Sequence, residues 1–319
     1  MYTLLTGGLG YIGSHIAIKL KEKAIIIDNC SNSKLDYKKI LPNAKVFIKD
    51  VNYISLDKIF QKFKIDKVIH LAGYKSVNES FFNPLKYYEN NIQSTIDLLR
   101  IIEKYKVKKF VFSSSATVYG NNNISPLKEN MQLNSTSPYG TTKIIIEKMI
   151  DEFIRSNNNF KAISLRYFNP IGSSRKYKLS DQPLGTPQNI MPILIETLKN
   201  KKNFFIYGKN YKTLDGTCVR DYIHVEDLAD AHILAIKKIN NIHGHEKINI
   251  GSGRGYSVLK LINTFEKVNN IKINFKFSKK RNGDVEISYA SISKAKKILN
   301  WQPKYDLKRM CEDSWIAAQ

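Results

Sequence analysis

The sequence has little of what marks membrane, secreted or metal-binding proteins. No apolar run approaches the roughly 20 residues that a membrane-spanning helix needs, and the first residues lead directly into strand-like sequence without a secretory leader. The three cysteines are isolated and odd in number, which excludes a disulfide framework and fits a reducing compartment. No ligand spacing with cysteines or acids is shared by His70, His224, His243 or His245. We therefore expect a cytoplasmic protein with no membrane partner and no metal.

Acidic residues are also scarce. The chain has 28 Asp and Glu against 51 Lys and Arg, which gives a formal net charge of +23. Such a charge is typical of nucleic-acid-binding proteins when it forms a stripe with interleaved aromatic residues. Here the lysines are scattered in short groups, and Asn and Ile are heavily used as well. We interpret the charge as a bias of composition and expect no nucleic-acid partner.

The residues that are present suffice for a globular protein, since 42% are hydrophobic and 11% aromatic. The first half alternates short apolar runs with amphipathic stretches, a pattern that predicts a parallel sheet covered by helices on both faces. After about residue 170 a loop bearing Pro and Gly leads into irregular short elements. The sequence thus predicts an α/β fold. It comprises a Rossmann-type doubly wound sheet at 1–170, with 218–250 returning to it, and a smaller α/β substrate domain at 171–319.

A glycine-rich turn follows the first predicted strand, where Gly7, Gly10 and Gly13 form a G-x-x-G-x-x-G series. Glycines there permit a tight bend, a close approach of backbone N–H groups to a pyrophosphate, and close packing of helix on strand. Asp28 ends the second strand, where an acid accepts hydrogen bonds from a ribose 2′-hydroxyl and repels a 2′-phosphate. This unit predicts NAD rather than NADP as cofactor. The alternative is that Asp28 only caps the turn before Asn29.

A candidate acid–base group follows. Tyr139 and Lys143 are four residues apart at the start of an apolar helix and so share one helix face. An ammonium about 6 Å from a phenol favours the phenolate by about 3 kcal/mol at an effective dielectric constant of about 20. We therefore expect Lys143 to lower the pKa of Tyr139 by about two units, toward that of a general base. Ser115 ends the fifth apolar strand, where open α/β sheets place ligands. A solvated Tyr/Lys face and a turn-capping serine are the alternatives.

Together these motifs resemble the extended short-chain dehydrogenase/reductase family and, within it, the UDP-hexose 4-epimerases. The resemblance covers nearly the whole chain. It implies interconversion of UDP-glucose and UDP-galactose at C4 through a 4-keto intermediate, with tightly bound NAD. It also implies a homodimer formed through the predicted helices 84–105 and 139–155. It is carried by the segments 6–15, 28–33, 71–77, 87–91, 113–120, 137–140, 166–172 and 215–225.

The resemblance also implies three groups of site residues. The catalytic group is Tyr139, Lys143 and Ser115. The cofactor-binding group implies that the first domain is the NAD-binding domain. It comprises Gly7, Gly10, Tyr11, Ile12, Gly13, Asp28, Asn29, Asn32, Ser33, Asp50, Val51, Lys75, Asn90, Lys143, Tyr167 and Phe168. The substrate-binding group implies that the second domain is the UDP-sugar-binding domain. It comprises Ser115, Tyr139, Asn169, Asn189, Tyr207, Arg220, Arg281, Asp284 and Ser288.

Two alternatives stay open at this point. A nucleotide-sugar 4,6-dehydratase shares the fold, the cofactor and the Tyr/Lys pair, but its family carries an acid pair just before Val-Tyr-Gly. This sequence has Ala116 and Thr117 there, which cannot serve as acids. The other alternative is a non-catalytic protein on the same fold that senses NAD or binds nucleic acid. Such a protein has no need for Ser115, Tyr139 and Lys143 together.

One position, Ser288, bears on which UDP-sugars the protein accepts. The resemblance aligns Ser288 with a site where some relatives carry a bulky tyrosine that narrows the sugar pocket. A small residue there implies room for an N-acetyl group. We therefore expect activity on UDP-GlcNAc and UDP-GalNAc in addition to the two hexoses.

Overall fold

The computed structural model describes residues 1–33, 36–281 and 284–319. These residues form two compact units. The first unit consists of residues 1–118, 135–166 and 229–248, and the second of residues 119–134, 167–228 and 249–319. The chain thus leaves the first unit three times and returns to it twice, and it ends in the second unit.

Strands and helices are named in chain order. The strands are β1 (Tyr2–Thr6), β2 (Ala24–Asp28), β3 (Lys45–Ile48), β4 (Ile65–His70), β5 (Lys109–Ser115), β6 (Lys161–Tyr167), β7 (Asn169–Ile171), β8 (Phe204–Tyr207), β9 (Val219–Arg220), β10 (Tyr222–His224), β11 (His245–Ile250), β12 (Tyr256–Ser257), β13 (Phe275–Ser278) and β14 (Ile287–Ser288). The α-helices are α1 (Tyr11–Leu20), α2 (Tyr37–Ile40), α3 (Tyr53–Lys62), α4 (Val77–Phe82), α5 (Pro84–Lys104), α6 (Pro138–Ser156), α7 (Ile190–Lys199), α8 (Val225–Lys238), α9 (Val258–Asn269) and α10 (Leu307–Ile316).

The sheet of the first unit has the order β11-β6-β5-β4-β1-β2-β3. The strand pairs from β3 through β1 and β4 to β5 are parallel. The aliphatic and Phe side chains of β1, β2, β4 and β5 are buried, as continuous apolar runs predict for a sheet covered on both faces, whereas those of the edge strand β3 are partly exposed. The predicted Rossmann-type α/β fold is confirmed. The strand order reverses between β1 and β4, and open α/β sheets bind ligands in the crevice at such a point.

Helix α6 carries the candidate general base, and local sequence fixes where it begins. Ser137 is the N-cap, and its hydroxyl accepts a hydrogen bond from the N–H of Gly140 at 3.2 Å. Pro138 follows at the first helical position, where its missing N–H leaves no bond unmade. Ile146 and Ile150 then pack into the hydrophobic core beneath the sheet. The cap and the apolar stripe together place Tyr139 in the first turn of the helix.

The second unit has its own core, to which α7, α9, α10 and β8 contribute. Asp221, fully buried, joins three of its segments. Its carboxylate accepts hydrogen bonds from the N–H groups of Ser252, Gly253 and Ala290 at 2.6 to 3.1 Å. These bonds fix the backbone on which the neighbouring Arg220 is carried. Across the described ranges, no helix is long and apolar enough to cross a membrane.

Candidate active site

The turn between β1 and α1 has the geometry that its glycines predict. Gly7 has φ +69°, and a Cβ on it would lie 2.7 Å from the backbone N of Ala72, in the loop after β4. A Cβ on Gly13 would lie 2.2 Å from the carbonyl O of Gly7. Gly10, the N-cap of α1, differs: among the described residues its Cβ would meet only the Gly7 carbonyl O, at 3.5 Å. The fold itself needs Gly7 and Gly13, whereas Gly10 has space beside it.

Asp28 caps the turn that follows β2, as the alternative reading of this residue predicts, and it also contacts the glycine turn. Its Oδ1 accepts a hydrogen bond from the N–H of Cys30 at 2.8 Å, and its Oδ2 accepts one from the N–H of Leu9 at 2.9 Å. A carboxylate oxygen has two lone pairs, so each oxygen can accept a further bond. The capping bond therefore leaves Asp28 able to bind ribose hydroxyls.

Other residues of the expected cofactor group gather near Asp28. Ser33 donates from its hydroxyl to the carbonyl O of Leu9 at 2.6 Å. The side-chain amide of Asn29 donates to the Asp50 carboxylate at 2.7 Å. Val51 packs instead against the hydrophobic core of the first unit. The structure thus brings the Asp28, Ser33, Asn29 and Asp50 positions to one edge of the sheet.

Ser115 and Tyr139 meet at the end of β5. Tyr139 is only 5% exposed, and Ser115 hydrogen-bonds to its hydroxyl. The Ser115 oxygen accepts hydrogen bonds from the N–H and the hydroxyl of Thr117 at 3.2 and 3.0 Å. Its own proton is therefore left to donate to Tyr139. A donor aimed at a phenolic oxygen favours the phenolate.

Lys143 lies one helical turn beyond Tyr139 and is equally buried. Its ammonium donates to the carbonyl O of Ser113 at 2.9 Å and lies 4.7 Å from the centroid of the Phe112 ring. Burial lowers the pKa of Lys143 to about 8, although the carboxylate of Glu147 acts in the opposite direction. The carboxylate of Glu147 thus helps to keep Lys143 protonated near neutral pH.

The expected lowering of the Tyr139 pKa by Lys143 is wrong for the polypeptide itself. Burial raises the pKa of Tyr139 to about 12, against the effect of the hydrogen bond from Ser115. An ammonium about 6 Å from the phenol was expected, and Lys143 does lie 5.7 Å from the centroid of the Tyr139 ring, where it donates to a backbone carbonyl. The expectation left out the desolvation of the phenolate, which is the larger effect.

Asn91 links the predicted residues of α5 to α6, and the sequence analysis missed it. Its side-chain oxygen accepts hydrogen bonds from the N–H of Tyr74 at 2.8 Å and from Asn90 at 3.0 Å. Its amide donates to the hydroxyl of Thr142 at 3.3 Å. Lys75, in the same loop as Tyr74, is exposed. The doubled asparagine at 90 and 91 is the signal that could have revealed this link.

The predicted UDP clamp in the second unit is built around Asp284. One carboxylate oxygen is paired with the guanidinium of Arg220, and the other accepts a hydrogen bond from the Tyr211 hydroxyl at 3.3 Å. Strand β14 pairs in parallel with β9, so Ser288 lies directly beside Arg220. Tyr211 was not among the expected site residues, because a tyrosine four residues beyond Tyr207 gives no signal by itself.

The remaining residues of the substrate-binding group make their contacts outside the cluster around Asp284. The guanidinium of Arg281 lies 3.8 Å from the centroid of the Tyr207 ring. Asn169 donates to the carbonyl O of Asp221 at 3.1 Å, and Asn189 donates to a carboxylate in the preceding loop at 2.7 Å. Both asparagine side chains thus have hydrogen-bond partners outside the cluster of Asp284.

The other expected cofactor residues lie at the ends of regular elements, and none falls outside the described residues. Where the chain is described, no three His, Cys, Asp or Glu side chains are grouped as metal ligands would be. Tyr11 and Ile12 form the first turn of α1, Asn32 lies in the turn after β2, Tyr167 ends β6, and Phe168 follows it and is buried.

Comparison with known proteins supports this picture. The NAD dependent epimerase/dehydratase family matches residues 3–251. The chain belongs to this family. Its relatives within the family include the UDP-glucose 4-epimerase of Bacillus subtilis (strain 168), which is 41% identical over 325 residues that cover 99% of this chain and 96% of that one. The resemblance inferred from the motifs is confirmed.

Solved structures of the family share the whole fold. The UDP-glucose 4-epimerase of Bifidobacterium longum, in complex with NAD+ and UDP, matches with a TM-score of 0.94 at 37% identity, over 99% of this chain and 98% of that one. The enzyme from Stenotrophomonas maltophila, with bound NAD and formylated UDP-arabinopyranose, matches with a TM-score of 0.95 at 36% identity, over 100% and 98% of the two chains.

Proposed function

We propose that this chain interconverts UDP-glucose and UDP-galactose by inverting C4 of the hexose, with NAD as a bound cofactor that is restored in each turnover. The observation that carries the proposal is the buried group of Ser115, Tyr139 and Lys143 in a chain 41% identical, over 99% of its length, to a UDP-glucose 4-epimerase. The dehydratase alternative is not favoured, because Ala116 and Thr117 occupy the positions of its acid pair.

The residues of the first unit fit NAD. Gly10 leaves a space that a Cβ would fill, at the N-terminus of α1, where backbone N–H groups and the helix dipole favour a pyrophosphate. Asp28 keeps lone pairs for the ribose hydroxyls. When bound, NAD supplies the hydride acceptor for C4 and a positive charge that favours a phenolate. The first unit would thus be the NAD-binding domain and the second the UDP-sugar-binding domain.

The side chains of the site move the proton. Oxidation of the C4 alcohol removes a hydride from C4 and a proton from O4, and Tyr139 as phenolate takes that proton. Ser115 donates to the phenolic oxygen and so holds it in place. Lys143 supplies positive charge beside the phenolate. In the reverse step, Tyr139 returns the proton to O4 while C4 receives the hydride on its other face.

For this inversion, the two ends of the substrate must be bound with different strength. The 4-keto sugar has to turn over without leaving the protein, so the nucleotide is bound firmly and the sugar loosely. Arg220 provides the firm part by binding the diphosphate, and Asp284 holds the guanidinium of Arg220 in place. An arginine suits this role because its planar fork makes paired hydrogen bonds to phosphate oxygens.

The function is tested by incubating the purified protein with UDP-galactose, without added NAD, and measuring UDP-glucose. We expect conversion to an equilibrium mixture with no net change of redox state. Formation of a dehydrated 4-keto-6-deoxy sugar would point to the dehydratase. Salt-sensitive RNA binding with no conversion, even with NAD added, would point to the non-catalytic alternative.

Two glycines of the turn are expected to respond differently to the same substitution. Gly10→Ala should fold, because its Cβ meets one atom at an ordinary distance and an alanine N-cap costs a helix about 1 kcal/mol. It should nevertheless lose NAD, because the methyl group fills the space that the pyrophosphate needs. Gly13→Ala should fail to fold, since its Cβ would lie 2.2 Å from a carbonyl oxygen. Thermal unfolding and the NAD content after purification measure both effects. Full NAD content in Gly10→Ala would contradict the proposed site.

Substrate breadth is proposed to depend on Ser288. Its Cα is the register partner of that of Arg220, so a larger side chain there narrows the space next to the proposed diphosphate site. We expect the wild-type protein to act on UDP-GlcNAc as well as on UDP-galactose. In Ser288→Tyr we expect the activity on UDP-GlcNAc to fall about tenfold or more and the activity on UDP-galactose to be kept, since a bulkier pocket residue discriminates by size. Unchanged activity on UDP-GlcNAc in this variant would exclude the role of Ser288.

The homodimer and the compartment are also proposed. Apolar side chains of α4 and the start of α5 are exposed, with Phe82 at 78% and Leu85 at 72%. Such neighbouring apolar surface is typical of an interaction site, and it adjoins the helices that the resemblance assigns to a dimer. A cytoplasmic location is supported by Cys30, Cys218 and Cys311, which are all free thiols.

A further inference from the structure

The helix face that carries Tyr139 and Lys143 continues into a buried ion pair. Glu147 follows Lys143 by four residues and so lies on the same face of α6. Arg166 of β6 donates to both of its oxygens, from Nε at 2.9 Å and from Nη2 at 2.6 Å, and both side chains are only 3% exposed. The hydroxyl of Ser114 donates to the same carboxylate at 2.6 Å. Glu147 and Arg166 thus form a buried pair.

Stability alone does not account for the buried pair. Desolvating two charges offsets most of their attraction, and replacing such a pair by apolar residues is often neutral or stabilising. A buried pair is thus weak support for a purely structural role. Its position next to Lys143 suggests a role in the reaction.

Strand β5 connects the buried pair to the reacting groups. Its three consecutive serines, 113–115, contact three successive groups of α6. The carbonyl of the first accepts from Lys143, the hydroxyl of the second donates to Glu147, and the hydroxyl of the third bonds Tyr139. A shift of any one of these groups along the strand would therefore affect the others.

The other titratable groups around Lys143 contribute little net charge. Burial lowers the pKa of His70 on β4 to about 3 and raises that of Tyr87 on α5, so both are neutral near pH 7. Glu79 on α4 is paired with a lysine of α5 at 2.6 Å. Within the described chain, the buried pair therefore supplies the fixed charges closest in sequence and packing to Lys143.

We propose that the buried pair is a positioning unit for the general base: Glu147 keeps Lys143 charged and aligned with Tyr139, and Arg166 keeps Glu147 ionised in the core. The inference rests on the proposed catalytic roles of Tyr139 and Lys143. It assigns to Glu147, Arg166 and Ser114 a function that acts through other side chains and not on the substrate.

The sign of the effect follows from the charges. The active form has Tyr139 ionised and Lys143 protonated. Removing the negative charge of Glu147 leaves Arg166 unbalanced, and the added positive charge favours loss of a proton from both groups. In the NAD-loaded protein the positive charge of the cofactor favours the phenolate, so that the acid limb of the pH profile reports Tyr139 and the alkaline limb reports Lys143. Both limbs should therefore move to lower pH. Damage to packing alone would lower the rate without moving both limbs.

The test measures the pH dependence of kcat for UDP-galactose with the NAD-loaded protein, since kcat reports the groups of the substrate complex. In Glu147→Gln we expect both limbs to move down by about one pH unit, which corresponds to about 1.4 kcal/mol of interaction. Glu147→Asp keeps the charge and should keep the wild-type limbs. The matched control is Asp151→Asn, which removes the next carboxylate along the helix. Asp151 is 39% exposed and bonded to His245 at 2.8 Å, and its loss should leave the profile unchanged.

The outcomes separate this proposal from the proposed function. A wild-type protein without epimerase activity would overturn the proposed function. An active wild type with an unshifted Glu147→Gln profile would overturn the role of the buried pair. If Glu147→Gln does not fold, the double variant Glu147→Gln/Arg166→Gln replaces it, since it leaves no unpaired charge. There we expect a smaller shift in the same direction, because Lys143 responds to Glu147. No shift in the double variant would also overturn the proposal.

Discussion

Replacing Tyr139 by Phe is expected to lower kcat by about 100-fold or more, in line with the loss of a general base, while NAD stays bound. The substitution removes one oxygen from a side chain that is 5% exposed and leaves the ring in its packing. The cofactor residues around Gly10 and Asp28 lie elsewhere on the first unit and are untouched. The rate of UDP-galactose conversion and the NAD content of the purified variant are the two measurements.

The matched control for Tyr139→Phe is Tyr87→Phe. The Tyr87 ring packs against that of Tyr139 with the centroids 6.4 Å apart, and its hydroxyl donates to Glu79 at 3.0 Å. Both variants thus lose one buried tyrosine hydroxyl in the same region. We expect Tyr87→Phe to retain kcat within a few-fold, since the Tyr87 hydroxyl bonds the Glu79 carboxylate and not the reacting groups. Near-normal turnover in Tyr139→Phe, or equal losses in both variants, would contradict the assignment of the base.

The parts of the molecule that depend on local sequence could be predicted. The strands at β1, β2 and β5 and the glycine turn follow from apolar runs and from backbone geometry that neighbours in sequence determine. The strand β11 is different, because residues 245–250 reach the sheet only after the chain has passed through the second unit. A return of residues 218–250 was expected, but short apolar runs do not show which of them form the strand, since the same pattern fits either unit.

The electrostatics of the site could not be predicted from spacing. The interval between Tyr139 and Lys143 correctly placed both on one helix face, but burial decided the direction of the Tyr139 pKa. Desolvation depends on how the helix packs, which spacing does not show. Glu147 lies four residues beyond Lys143, so its place on the same helix face could have been predicted from the sequence. Its role depends on Arg166 of β6, which only the folded chain brings within hydrogen-bond distance.

Arg220→Met is expected to raise KM for UDP-galactose by about 100-fold, because two charge-assisted hydrogen bonds to a diphosphate are lost at about 1.5 kcal/mol each. The effect on kcat should be smaller, since the diphosphate is bound equally in the ground and transition states. The matched control is Arg175→Met, which removes another arginine of the second unit that is paired with acids. It should leave KM unchanged. An unchanged KM in Arg220→Met would exclude Arg220 as the anchor.

A second variant separates binding by Arg220 from the charge that its removal leaves behind. Without Arg220, the carboxylate of Asp284 loses its ion pair and repels the diphosphate. Arg220→Met/Asp284→Asn removes that repulsion, so we expect KM to fall part of the way back toward the wild-type value. Full recovery would mean that Arg220 acts only by neutralising Asp284. No recovery would mean that Asp284 itself contacts the nucleotide, and that its loss offsets the relief of repulsion.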